Sequence, residues 1–288
     1  MSRIRRVLYP TDFSAACRGL APAVRRMVES WQAEVTLLHV LEGRPRFAPS
    51  NELEDAMSVL EAIGEKELPF VRVNPRVERG RPAERILQYA QSHGVDLIVT
   101  PARMPSAGRQ PFGVVTEEIL AAAPCAVWLD WTPRPADVPV DGRRVCCALD
   151  FDGSEELVLR EAAALANERR TGLAIVHAFD PDGLPAAGAP LSPRARAREL
   201  LSAEMRVDAL RRRFAAAAGA IVESGTTEAI VGRAVRSLEA GLLVTGRQRE
   251  SILAAAPVCP VWSIAAGAYR RPLSAQGPQL GSALRNTG

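Results

Sequence analysis

Short apolar runs alternate with amphipathic stretches along the chain. Near 4–10, 34–40, 70–78, 96–100 and 125–130, apolar residues follow one another with little polar alternation, as in Leu97-Ile98-Val99. Runs of this kind predict parallel strands buried on both faces. Between them, apolar residues recur at helical spacing, as at Leu20, Val24, Met27, Val28 and Trp31. Pro22 interrupts that stretch and is expected to set the first helical turn or to kink the helix. Strands alternating with helices force right-handed crossovers and a parallel sheet covered by helices on both faces.

The pattern occurs twice. Residues 5–40 align without a gap to residues 143–178, pairing Val7 with Val145, Asp12 with Asp150, Phe13 with Phe151 and His39 with His177. Leu97-Ile98-Val99-Thr100 matches Leu242-Leu243-Val244-Thr245, and ILAAAP occurs at 119–124 and 252–257. The chain is therefore expected to hold two α/β domains, 1–131 and 143–265. The proline-rich stretch 132–142 reads as a linker and 266–288 as a disordered tail. The segment 181–193 reads as a flexible loop. In the second copy, Asp152-Gly153-Ser154-Glu155 predicts a helix start like a capping box. The fifth strands carry Val127, Trp128 and Leu129 in one copy and Val261, Trp262 and Ile264 in the other. Apolar edges of that kind need covering, so the two domains are expected to pair there as an intramolecular pseudo-dimer.

Composition removes several function classes. The 288 residues are 47% hydrophobic and 24% charged, with a net charge of +3, which is ordinary for a globular protein and too weak a charge to argue for nucleic acid. Lys66 is the sole lysine, so neither a Walker-type GK[ST] nor a Schiff-base lysine is present. The helix expected at 194–213 is rich in arginine, but Glu199, Glu204 and Asp208 interleave with it, as on a solvated face. No signal-peptide core and no membrane-length apolar run occurs. The five cysteines show no CxxC, which favours neither disulfides nor zinc, and the cytoplasm is the expected location. Cys146 and Cys147, adjacent on a strand, should point to opposite faces. No HxxxH or Asp/Glu/His cluster suggests a metal, and no nucleophile motif offers His39 or His177 a catalytic partner. Both histidines read as packed strand ends.

The start VLYPTDFS, the strand VTLLHV, the block VERGRPAERILQYAQSHGVDLIV and the ending APCAVWL resemble the universal stress protein family. The resemblance covers 3–131 and, more weakly, 143–265. It implies two flavodoxin-like, adenine-nucleotide-binding-type domains, each a five-stranded parallel sheet with helices on both faces, in a tandem that imitates a dimer. ATP-binding members of that family carry G-x-x-G, nine residues, then G-[ST] after strand four. Its backbone N–H groups curl round phosphates, and an Asp after strand one holds the nucleoside end.

This sequence departs from that pattern. The first glycine position is Pro101, which has no N–H, and the second is Met104. Gly113 matches the third after eight residues instead of nine, and Val114 takes the hydroxyl position. Thr116 could substitute only with a shift of register. Asp12 matches the family's acidic residue. Arg103 and Arg109 could contact phosphate, although solvated loop arginines are the plainer reading. The second copy is twelve residues shorter between Leu242 and its ILAAAP block. It keeps Asp150 and Gly246, while Arg247, Arg249 and Ser251 could hold one anion near the last helix. Asp150 reads equally as an acceptor at the turn into the first helix. The ligand-binding candidates are thus Asp12, Arg103, Gly113, Thr116, Asp150, Gly246 and Ser251.

The expected function is a stress-response regulatory or ligand-binding module without turnover. It is expected to have no cofactor, ATP and AMP being disfavoured, and to bind a small nucleotide-like ligand or a protein partner. One alternative is an ATP-binding protein with slow ATPase or nucleotidyl activity in its first domain. The other is a protein-interaction scaffold.

Overall fold

The computed structural model describes residues 4–43, 51–102, 112–131, 144–180, 192–246 and 259–264. The first repeat runs β1 (Arg6–Pro10), α1 (Ala15–Gly19), α2 (Ala21–Trp31), β2 (Glu34–Leu41), α3 (Glu52–Glu67), β3 (Val73–Arg79), α4 (Pro82–His93), β4 (Leu97–Ala102), α5 (Val114–Ala122) and β5 (Ala126–Trp131). The second runs β6 (Arg144–Ala148), α6 (Glu155–Glu168), β7 (Gly172–Phe179), α7 (Pro193–Phe214), β8 (Gly219–Ser224), α8 (Thr227–Ser237), β9 (Ala240–Thr245) and β10 (Val261–Ser263). The expected linker 132–142, the tail 266–288 and most of the 181–193 loop lie outside the described residues.

The strands form one sheet in the order β3-β2-β1-β4-β5-β10-β9-β6-β7-β8. Within each half every pair is parallel. The halves meet where β5 and β10 pair antiparallel, Trp128 opposite Trp262, Leu129 opposite Val261 and Val127 opposite Ser263. Two apolar edges thus cover each other, as their composition requires.

Side chains alternate across the sheet. Val7 and Tyr9 face α2 and α3, while Leu8 faces α4 and α5. Both apolar layers continue across the seam, one holding Leu60, Trp128, Val207 and Trp262, the other Ile86, Val127, Val231 and Val261. Cys146 and Cys147 fall in opposite layers. All five cysteines are buried and none is in a disulfide, and burial pushes the Cys146 thiol up to about 12.

The seam has its own pseudo-symmetric packing. Trp128 and Trp262 meet edge to face at 6.2 Å. Trp31 of the first repeat packs on Trp262 at 6.0 Å, and its equivalent in the second, Arg169, lies over Trp128 at 5.5 Å. The Trp31 indole N–H also donates across the seam to Glu168.

Pro22 falls in the first turn of α2, as expected, and the helical stretch before it is broken at Leu20. Before α6, Ser154 makes no side-chain cap. Its hydroxyl donates to Asp152 at 2.6 Å, because the charged carboxylate is the stronger acceptor. Asp152 also accepts from the Ser154 N–H, and Glu155 accepts from the Gly153 N–H. Carboxylates therefore hold the turn, and no reciprocal box forms. The third strand also starts late, at Val73, after a turn in which Phe70 is fully exposed with φ 65°.

The arginines of α7 are largely paired. Arg211 and Arg212 hold Asp208, Arg213 holds Glu156, and Arg206 approaches Glu155 at 3.8 Å. Among the described residues no helix is long and apolar enough to cross a membrane.

Candidate functional site

In each half the chain winds outward to the third strand and then returns to the other side of the first. β1 and β4 are therefore neighbours whose following helices leave on opposite faces. An open crevice results at the carboxyl ends, the usual place for ligands in such sheets. In the first repeat it is a cavity of about 550 Å³. Its walls come from the β1–α1 turn, the end of β2, the first turns of α4 and α5, and Thr100-Pro101 of β4. A larger hollow of about 710 Å³ lies at the amino ends, lined by Arg5, Arg6, Phe70 and Arg72 among others, but it is away from the switch point.

The β1–α1 turn is tied down from several sides. Thr11 donates its N–H to Leu38, and its carbonyl receives the His39 ring Nδ1 at 2.8 Å. A carbonyl only accepts, so Nδ1 carries the proton. Phe13 has φ 62°, an unusual conformation for a bulky residue, and is stacked on His39 at 4.1 Å. Asp12 Oδ1 accepts from the Ser14 N–H at 2.9 Å, and Ser14 Oγ accepts from the Cys17 N–H at the start of α1. Burial pushes the Asp12 carboxyl up, but the Ser14 hydroxyl and N–H outweigh it and hold the group below its ordinary range. Asp12 is thus an ionised wall of the cavity and part of the turn that shapes it.

On the opposite wall, Thr100 and Thr116 are buried and their hydroxyls meet at 3.1 Å, joining the end of β4 to the first turn of α5. Thr116 lines the cavity with its hydroxyl already engaged. Gly113 precedes α5 with φ −82° and ψ 159°, an ordinary extended conformation, and open space surrounds the position of a Cβ. Nothing in this geometry demands glycine. Val114 is 69% exposed where a phosphate-binding hydroxyl would be needed. Arg103, Met104 and Arg109 lie outside the described residues.

The second repeat keeps the anchor. His177 Nδ1 donates to the Leu149 carbonyl at 2.8 Å, and its ring packs against Phe151 at 4.4 Å. Burial pulls the His177 imidazole below its ordinary value, against the Leu149 hydrogen bond and the Asp150 charge. Both histidines are therefore strand-end ties. The mouth differs. A Cβ on Gly246 would stand 2.9 Å from Ser154 Oγ and 3.5 Å from Val158 Cγ2. Gly246 is thus a point of close packing against the start of α6. The turn's acceptor is Asp152, two residues beyond Asp150. Thr245, the counterpart of Thr100, is buried, and among the described residues its hydroxyl has no partner. Arg247, Arg249 and Ser251 lie outside the described residues.

The structure therefore brings Asp12, Gly113 and Thr116 to one cavity. Sequence reasoning missed Thr100, whose pairing with Thr116 spans 16 positions, and Asp152. The D-x-S spacing at Asp12-Phe13-Ser14 and again at Asp152-Gly153-Ser154 was the signal for the second.

A family described as the universal stress protein family matches residues 3–129 and again 142–258. No curated protein matches the chain. Among solved structures, a universal stress protein from Archaeoglobus fulgidus DSM 4304 is similar with a TM-score of 0.66 at 15% identity, over 92% of this chain and 99% of that one. A functionally unknown protein from Pseudomonas aeruginosa PAO1 is similar with a TM-score of 0.60 at 16% identity, over 92% and 93%. At these identities the likeness is one of fold. The family matches, in tandem, span most of the sequence and coincide with the two halves of the sheet, and the chain belongs to the universal stress protein family.

Proposed function

We propose that this protein is a stress-response ligand-binding module in which the first repeat holds a small molecule and the second is its structural partner. The observation that carries this reading is the cavity of about 550 Å³ at the switch point of the first repeat, a volume ordinary for small-molecule sites. Asp12 is the polar group that orients the ligand, with Gly113 and Thr116 near the start of α5. In the second repeat Gly246 is taken up by packing against Ser154, and the turn is held by Asp152 in place of Asp150.

A triphosphate is a poor fit. Its cradle needs several backbone N–H groups aimed at one anion. Pro101 has none, Val114 offers no hydroxyl, and the Thr116 hydroxyl is engaged by Thr100. Each missing charge-assisted bond is worth roughly 1.5–3 kcal/mol, so two cost about a hundredfold or more in affinity. The protein acts by binding and not by turnover.

The test is calorimetric titration of nucleotide-free protein with ATP, AMP and adenosine, preceded by mass spectrometry of molecules released on denaturation. Binding of a small ligand, with ATP weaker than micromolar, is the expected result. Micromolar ATP binding lost on Asp12→Asn, or steady ATP hydrolysis, overturns the reading.

A further inference from the structure

We propose that the cavity of the first repeat selects a small organic cation, an amine on an apolar body, over anionic molecules of the same shape. This rests on the reading of that cavity as a ligand site. The charged side chains among its described lining residues are Asp12 and Glu42, both acidic. No arginine or lysine is among them. Much of the remaining wall is aliphatic, with Leu38, Ile86, Val115 and Ile119. An apolar body fits that wall, and a carboxylate beside it meets an ammonium group with less screening than in water.

Among the described residues, helix amino ends are the feature that would favour an anion instead. Here each is offset. The start of α1 is capped by Ser14 next to the Asp12 carboxylate. The first turn of α4 opens on Pro82, which has no N–H, and carries Glu84. The first turn of α5 carries Glu117. The nearby guanidinium groups of Arg79 and Arg81 are directed to Glu52 at 2.8 Å and Glu118 at 3.5 Å. Donors from Ser14 hold Asp12 ionised, so its charge persists through the neutral range.

Three probes with one indole body separate charge from shape: tryptamine, tryptophol and indole-3-acetate, titrated into the full chain at neutral pH. Tryptamine should bind roughly tenfold tighter than indole-3-acetate, with neutral tryptophol between them, and added salt should narrow the gap. Asp12→Asn keeps an oxygen acceptor for the Ser14 N–H. It should reduce the tryptamine advantage several-fold, tryptamine losing more affinity than tryptophol. Glu42→Gln, at the exposed rim, tests the same point should Asp12→Asn fold poorly. Equal or tighter binding of indole-3-acetate overturns the proposal, as does a cation preference that neither variant changes. Adenosine is run alongside. Adenosine binding without any cation preference defeats this proposal and leaves the ligand-site reading standing. Silence from adenosine and all three indoles defeats both.

Discussion

The first repeat leaves a cavity of about 550 Å³ above β1 and β4, whereas at the corresponding place in the second repeat Gly246 lies against Ser154 and Val158. The two share the strand-end histidine, its carbonyl partner 28 positions back and the aromatic ring beside it. They differ in what closes over the strands. In the first, the Thr100 and Thr116 hydroxyls satisfy each other and brace α5. In the second, the Thr245 hydroxyl has no partner among the described residues and the segment following β9 is twelve residues shorter. The scaffold is thus set by the sheet and its histidine ties. Among the described residues the two mouths differ in the hydroxyl pair at the end of the fourth strand and in which carboxylate takes the turn.

The harshest way to break this comparison is at the seam. Trp262 is wholly buried between Trp128 and Trp31. Trp262→Ala should cost roughly 3–5 kcal/mol. If the halves form one cooperative unit, urea unfolding followed by far-ultraviolet circular dichroism will remain a single transition at lower midpoint. Two separated transitions would show that each half stands alone.

A smaller effect separates the two mouths. Gly246→Ala forces Ser154 away from Asp152 and should cost about 1–3 kcal/mol. Gly113→Ala meets open space and an ordinary backbone, and should cost less than about 1 kcal/mol. Equal losses in unfolding midpoints would contradict the difference drawn between them.

Acid should reach the two repeats at different pH. His177 is held below its ordinary value of 6.5, so the unfolded chain takes its proton first. Its contribution to stability is whole above about 6.5 and falls as pH drops from there to the folded value. Asp12 is also held low, from an ordinary 3.8. As a carboxylate its contribution is present above that value and lost only as pH falls through the folded one. His177→Asn should flatten the unfolding midpoint between neutral pH and pH 5, and Asp12→Asn should not.

The mildest probe is proteolysis. We propose that brief digestion cuts within 132–142 or 266–288 and leaves two resistant fragments of similar size. First cuts inside 82–100 would defeat that domain map.

The sheet was legible because its strands are buried on both faces and so read as apolar runs. The pairing of the halves was legible because Val127-Trp128 and Val261-Trp262 are too apolar for free edges. The site was half legible. Asp12 and Thr116 were found by position, but the hydroxyl pair that engages Thr116 depends on a contact between the ends of a strand and a helix, which no local spacing encodes. Gly113 misled for the opposite reason, since a matched letter carries no φ angle. The capping-box-like stretch 152–155 was legible as a helix start, but not that the Ser154 hydroxyl donates to Asp152 instead of capping α6.

The pairing of β5 with β10 has a bearing on how such a chain can change over generations. In a symmetric homodimer a surface meets its own copy, and any substitution there is made twice. About the Trp128–Trp262 pair, Leu129 faces Val261 on one side, while on the other Val127 faces Ser263. That serine is buried, and its hydroxyl reaches the Gly246 carbonyl at 3.5 Å. Two separate subunits would have had to bury the polar group twice. A single chain buries it once, so the two copies are free to differ at the seam.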